Sequence, residues 1–226
     1  MSAIVFPEPA QSQPQGRGNV RLVVAVALII WLLIVVSLGA AGAFVGPPGR
    51  PPVAIAIGVA TPLMLFFAWL RFSKSFREFV LSLDLRLVAG MQAWRWAGVG
   101  FLDLYAHNIL PGVFALPAGL GDMAIGISAP WIVLALARQP DFAARSAFVR
   151  WNVLGILDLV VAVTIAAVST VLATGAPGEI TVAPMATLPL LVVPAFFVPF
   201  FLMLHAIALT QSRQGRIHSK STAPPP

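Results

Sequence analysis

Six polar residues sit inside stretches otherwise built from Leu, Val, Ala and Gly: Arg95, Asp103, His107, Asp122, Asp158 and His205. Their types carry definite chemistry. A carboxylate in apolar surroundings takes up a proton or binds a cation, an imidazole carries a proton or ligates a metal, and a guanidinium pairs with a carboxylate. A charge placed in hydrocarbon costs at least about 2.5–3.5 kcal/mol, so it faces a bundle interior or cavity and has a partner. Three aspartates against one arginine cannot all stay ionised there. All six are therefore candidate proton- or substrate-binding residues.

The spacing adds a pattern. On an α-helical wheel Gln92, Arg95, Asp103 and His107 fall within an arc of about 120°, which predicts one polar face turned to the interior. A glycine precedes each aspartate by three residues in Gly100-Phe-Leu-Asp103, Gly119-Leu-Gly-Asp122 and Gly155-Ile-Leu-Asp158. Glycine lets a neighbouring backbone approach closely. Arg95-Trp96 through Leu104 also parallels Arg150-Trp151 through Leu159, as a parallel internal duplication would.

The solvent around these residues follows from composition. The chain has 226 residues, 59% apolar and 10% charged, with a mean hydropathy of +0.92. A soluble domain carries about 25% charged residues, so a soluble enzyme, a secreted domain and a disordered chain are excluded. What remains is an all-α, polytopic integral membrane protein. There is no cysteine, which removes disulfides, thiolate metal sites and cysteine nucleophiles.

Apolar runs at about 22–44, 52–70, 91–110, 113–137, 151–173 and 186–209 predict six transmembrane helices, each bounded by Pro, Gly or charge. The first is longer than the apolar region of a signal peptide and reads as a retained anchor. Residues 76–88 alternate apolar and charged residues three and four apart, the signature of an amphipathic interfacial helix before helix 3. Residues 1–20 and 212–226 read as disordered cytoplasmic tails around a membrane domain at 21–211.

Charge orients the bundle. Twelve basic residues fall on alternate loops and the two tails, against Arg50 alone on the other side. The positive-inside rule makes both termini cytoplasmic and the host membrane a bacterial inner membrane. The basic excess is thereby used in orientation, and no nucleic acid is expected as a partner. The expected partners are the bilayer and a small ion or small molecule, with a homo-oligomer open through Gly39, Ala43 and Gly46.

Depth, at 1.5 Å per residue, offers two registers for helix 3. If the membrane begins near Arg86, Arg95 lies level with Asp158 and His205, and Asp103 level with Asp122. If the duplication is literal, Asp103 lies level with Asp158. The first register gives Arg95 a carboxylate partner.

Several functions compete. Protonatable carboxylates and proline-rich helices point to a proton- or cation-linked carrier, with Pro117, Gly119, Gly121 and Pro130 predicting a discontinuous helix around Asp122. Pro184, Pro189, Pro194 and Pro199 predict breaks in helix 6. No cofactor is predicted, although His107 and His205 leave haem b or quinone as an alternative. Asp103 and His107, four apart near Asp122, form a weaker metal alternative. A non-catalytic role, with the polar groups as glue between helices, is the third. Six helices, Gly126-Ile-Ser128-Ala129 and His205 resemble rhomboid proteases, with Ala129 where that family has glycine. That resemblance implies a Ser128–His205 dyad; the remaining sequence favours a protein that is not an enzyme.

Overall fold

The computed structural model describes residues 16–221, and every element among them is helical. Of the expected tails, residues 1–15 and 222–226 lie outside the described residues, whereas 16–20 and 212–221 are helical, within α1 and α8. The order is α1 (Gly16–Ala40), α2 (Val53–Phe72), α3 (Lys74–Leu81), α4 (Leu85–Met91), a 3₁₀ segment (Gln92–Gly98) and α5 (Val99–Ala106). Then come α6 (Gly112–Arg138), a 3₁₀ turn (Pro140–Ala144), α7 (Ser146–Leu172), a second 3₁₀ turn (Ala183–Ala186), a π segment (Val193–Phe197) and α8 (Val198–Ser221). Five helices are long and apolar enough to cross a membrane: Asn19–Ala40, Val53–Phe72, Gly112–Arg138, Ser146–Leu172 and Val193–Gln214.

Their outward faces are apolar. Leu22, Ile29, Leu33, Met64, Leu65 and Leu172 are all more than half exposed, a surface that water would not tolerate and a bilayer would. The helices fit a multi-pass membrane protein.

Several sequence expectations change. Residues 91–110 do not form one helix; α4, the 3₁₀ segment and α5 share that stretch. The glycine-rich α6 is continuous through Pro117 and Pro130, so the discontinuous helix around Asp122 is not there. The last helix starts later than residue 186: Pro184 lies in a 3₁₀ turn, Pro194 opens the π segment and Pro199 falls in the first turn of α8. Pro184 and Pro194 lie at helix starts, where the missing N–H has no intrahelical partner. Pro199 instead lies inside the apolar helix Val193–Gln214, whose winding just before it widens to a π turn; the expected irregularity is there as a local change of winding.

The predicted amphipathic helix is two short ones, α3 and α4, separated at Ser82–Asp84. Ser73 Oγ accepts from the Phe76 amide and starts α3. Asp84 accepts from the Arg86 amide and starts α4. The apolar side of α3 packs on protein: Phe76 and Val80 are buried, and Phe76 stacks on Trp69 of α2 at 4.0 Å between ring centroids. Gln211 of α8 donates to the Val80 and Leu83 carbonyls at the end of α3, and Ser212 donates to the Ala143 carbonyl. One apolar cluster, around Phe66, Phe76, Phe148 and Leu204, joins α2, α3, α7 and α8 at this end. Another, around Phe101, Phe114 and Met185, closes the opposite end. Gly39, a candidate for dimer packing, lies against Leu188 and Leu191 of its own chain.

Candidate functional site

The polar centre forms where the 3₁₀ segment crosses α6, α7 and α8. Close approach there requires glycine. A Cβ on Gly98 would meet Asp122 Cβ at 2.6 Å and the Gly119 carbonyl at 2.9 Å. A Cβ on Gly126 would overlap the Trp96 backbone, one on Gly121 the Asp158 carboxylate, and one on Gly155 the His205 ring. The backbone of residues 95–98 therefore lies directly on α6, and the carboxylate and imidazole fill grooves left by missing side chains.

Into this seam Arg95 projects a fully buried guanidinium. Its Nε donates to Asp122 Oδ1 at 2.7 Å, and its Nη2 donates to Asp158 Oδ2. Nη1 donates to the Gly155 carbonyl at 3.3 Å and faces His205 Nε2 at 3.2 Å. Phe201 lies beneath it, 5.9 Å from the guanidinium carbon to the ring centroid. Arginine can only donate, so His205 Nε2 must present its lone pair and the proton must be on Nδ1. Nδ1 then donates to Asn152 Oδ1 at 2.9 Å, while Asn152 Nδ2 donates to the Phe148 carbonyl. His205 is thus held neutral in one tautomer.

The centre's charge follows from its members. With both aspartates ionised, one guanidinium faces two carboxylates and a neutral imidazole, a net charge of −1. Asp158 stands beside the middle of α7 and Asp122 near the middle of α6. Their side chains are 16% and 17% exposed, whereas Arg95 is at 0%. The carboxylates are therefore partly exposed and the guanidinium is not.

Arg95 does lie with Asp158 and His205, as in the first register. Asp122 joins them, although the register puts it level with Asp103. Asp122 lies 16 residues from Arg138 and Asp158 only 8 from Arg150, but α7 begins four residues before Arg150, at Ser146. A Cβ on Gly121 would meet the Asp158 carboxylate, so the two acids lie side by side. Asp103 and His107 are elsewhere. Both are exposed, at 71% and 67% of their side chains, and lie 3.5 Å apart near the end of α5; neither faces the interior as the wheel requires. The cause is the winding of residues 92–98. At 120° per residue instead of 100°, these seven residues rotate the start of α5 by an extra 140° or so. Gln92 and Arg95, three apart within the 3₁₀ segment, share its buried face; Asp103 and His107, beyond it, swing outward.

This placement bears on the competing chemistries. Both His205 nitrogens are engaged and His107 is on the exposed surface, so the two do not face a common haem. Among the described residues no group of three or more His, Asp or Glu could hold a metal ion. Ser128 donates to the Ala124 carbonyl at 2.7 Å and accepts from Trp151 Nε1 at 2.8 Å, so the Ser128–His205 dyad implied by the rhomboid resemblance is not formed.

Two members of the centre are not legible as site residues in the sequence. Asn152, two residues after Arg150, reads as an end-of-helix residue. Gln92 shares the polar arc of the wheel without an evident role; it donates to the Phe201 carbonyl, and its Oε1 is buried without a partner. The matched halves of the apparent duplication also occupy unlike places, with Arg95 buried and Arg150 exposed, and Trp96 exposed and Trp151 buried.

Residues 52–212 match a family described as a domain of unknown function (DUF8737). The chain belongs to that family. The match spans α2 to most of α8 and contains every residue of the Arg95 centre, while α1 precedes it. Searches of curated proteins and of solved structures found no match.

Proposed function

We propose that this DUF8737 protein is a small proton- or cation-linked carrier whose coupling site is Asp122 and Asp158 around Arg95. The observation that carries this reading is the uncompensated charge: one guanidinium for two carboxylates, beside a histidine that is hydrogen-bonded as a neutral acceptor. A net negative charge in the middle of a bundle calls for a proton or a small monovalent cation. Partial exposure of the carboxylates, with none for the arginine, gives that ion a way in. In this reading the chain crosses the membrane six times, with α4, the 3₁₀ segment and α5 as the broken third crossing. α3 lies at the interface, and both termini lie on the cytoplasmic face of a bacterial inner membrane. The basic residues at the α2–α3, α6–α7 and α8 ends support that orientation.

The full burial of Arg95 among four hydrogen-bond partners favours a second reading, in which the centre is a brace that locks three helices and moves nothing. Purified full-length protein in proteoliposomes separates the two. Under an imposed proton or sodium gradient the carrier dissipates that gradient, and Asp158→Asn and Asp122→Asn abolish the flux while the protein still folds. Flux equal to that of protein-free vesicles, or unchanged in Asp122→Asn, contradicts the carrier reading.

A further inference from the structure

At the end of the molecule away from Arg138 and Arg150, two crevices lie side by side. The first, of about 280 Å³, is formed by the α1–α2 turn, the end of α7 and the loop after it, with Phe44, Pro48, Arg50, Thr170, Glu179 and Val182 among its walls. The second, of about 380 Å³, runs along α7 past Ile165, Val168 and Leu172 and meets the start of α6 at Pro111 and Val113. Ala173, Glu179 and Thr181 border both.

The first crevice carries two opposite charges that are not paired with each other. Among the described residues Arg50 has no hydrogen-bond or ion-pair partner. Glu179 is held in its own turn, accepting from the Thr174 and Gly175 amides and the Thr174 hydroxyl. These bonds keep its carboxyl below the usual range and hence ionised. Most of them fall on Oε2, leaving Oε1 with lone-pair capacity to spare. A cation and an anion on the walls of one small cavity match a ligand that carries both signs. The second crevice adds an apolar slot with residues 165, 168 and 172 on one helical face, extending about 10 Å from the helix end towards the middle of the bundle.

We propose that the paired crevices bind one phospholipid with a zwitterionic, N–H-bearing headgroup. Its phosphate pairs with Arg50, its ammonium donates to Glu179, and one acyl chain lies in the slot along α7. This site is separate from the Arg95 centre and stands whether or not that centre transports an ion.

Native mass spectrometry of the full chain in detergent tests the assignment, using phosphatidylethanolamine, phosphatidylglycerol and phosphatidylcholine of identical chains. The expected result is retention of phosphatidylethanolamine about fivefold or more above either competitor, a difference of roughly one kcal/mol. Phosphatidylglycerol lacks the ammonium, and phosphatidylcholine cannot donate a hydrogen bond. Glu179→Gln reduces the preference, whereas Arg50→Gln lowers retention of all three lipids and Arg50→Lys restores part of it, with an unchanged thermal melt showing that the variants fold. Equal retention of phosphatidylglycerol, full preference in Glu179→Gln, or undiminished retention of all three lipids in Arg50→Gln overturns the site. Displacement of the lipid by an equal concentration of free phosphoethanolamine overturns the acyl slot, because the headgroup alone would then account for binding.

Discussion

Asp158 and Asp103 each follow a glycine by three residues in an apolar run, yet one is clamped against a buried guanidinium and the other stands on the surface beside His107. The two regions differ in winding and in space. Around Asp158, Gly121 and Gly155 leave no room for a Cβ, and the space they free is filled by the carboxylate and the His205 ring. Around Asp103, a Cβ on Gly100 would meet nothing within 4 Å. A shared local motif thus has opposite fates, because residues 92–98 wind as a 3₁₀ helix against α6. The pattern glycine-x-x-aspartate is permissive; the neighbouring helix decides whether it builds a site.

The contrast can be broken most forcefully at Arg95. Arg95→Met leaves two carboxylates without their common partner, and we expect a loss of about 3–5 kcal/mol in reversible unfolding in mixed micelles. Asp103→Asn and His107→Gln, at an exposed pair, should each change stability by less than about 1 kcal/mol. Comparable losses in both regions would erase the distinction.

A smaller effect is expected from the glycines. Gly121→Ala must push the Asp158 carboxylate off Arg95 and should cost about 1–3 kcal/mol. Gly100→Ala meets open space and should be neutral or stabilising by up to about 1 kcal/mol, since alanine favours the helix. Thermal melts followed by tryptophan fluorescence give the order. Next comes Trp151→Phe, which keeps the ring against His205 but loses the hydrogen bond to Ser128, for about 0.5–1.5 kcal/mol.

The smallest effect lies at the Glu179 turn. Its carboxyl is held below its ordinary value of 4.5, first by the Thr174 amide. The folded value is the lower one, so the stabilisation is present above the unfolded value and fades as pH falls through the folded one. Amide exchange at Thr174 and Gly175 should accelerate in acid relative to the base rate, and Glu179→Gln should remove that acid dependence.

Much of this was legible in the sequence. Hydropathy alone places the five long apolar helices, because a bilayer demands length and an absence of charge. The pairing of Arg95 with Asp158 follows from the cost of leaving either one alone in hydrocarbon. The turn of Asp103 and His107 away from the centre was not legible, because the periodicity of a wheel presumes one winding throughout. Residues 92–98 depart from α-helical winding where they pack on the bare backbone at Gly119 and Gly126, a tertiary contact. The same limit hid Asn152, whose role depends on the His205 tautomer and hence on Arg95 across the bundle.

Infrared difference spectroscopy over a pH titration tests the central claim most directly, by reading the C=O stretch of a protonated carboxylic acid in the purified full-length protein. One such band should appear on acidification with its intensity shared between Asp122 and Asp158. It should be absent from Asp122→Asn/Asp158→Asn, be unaffected by Asp103→Asn, and shift its midpoint with sodium if the site also takes a cation. If no band from these two aspartates appears across the range in which the protein stays folded, neither carboxyl exchanges a proton with the medium. The Arg95 centre is then a structural brace and the carrier reading fails.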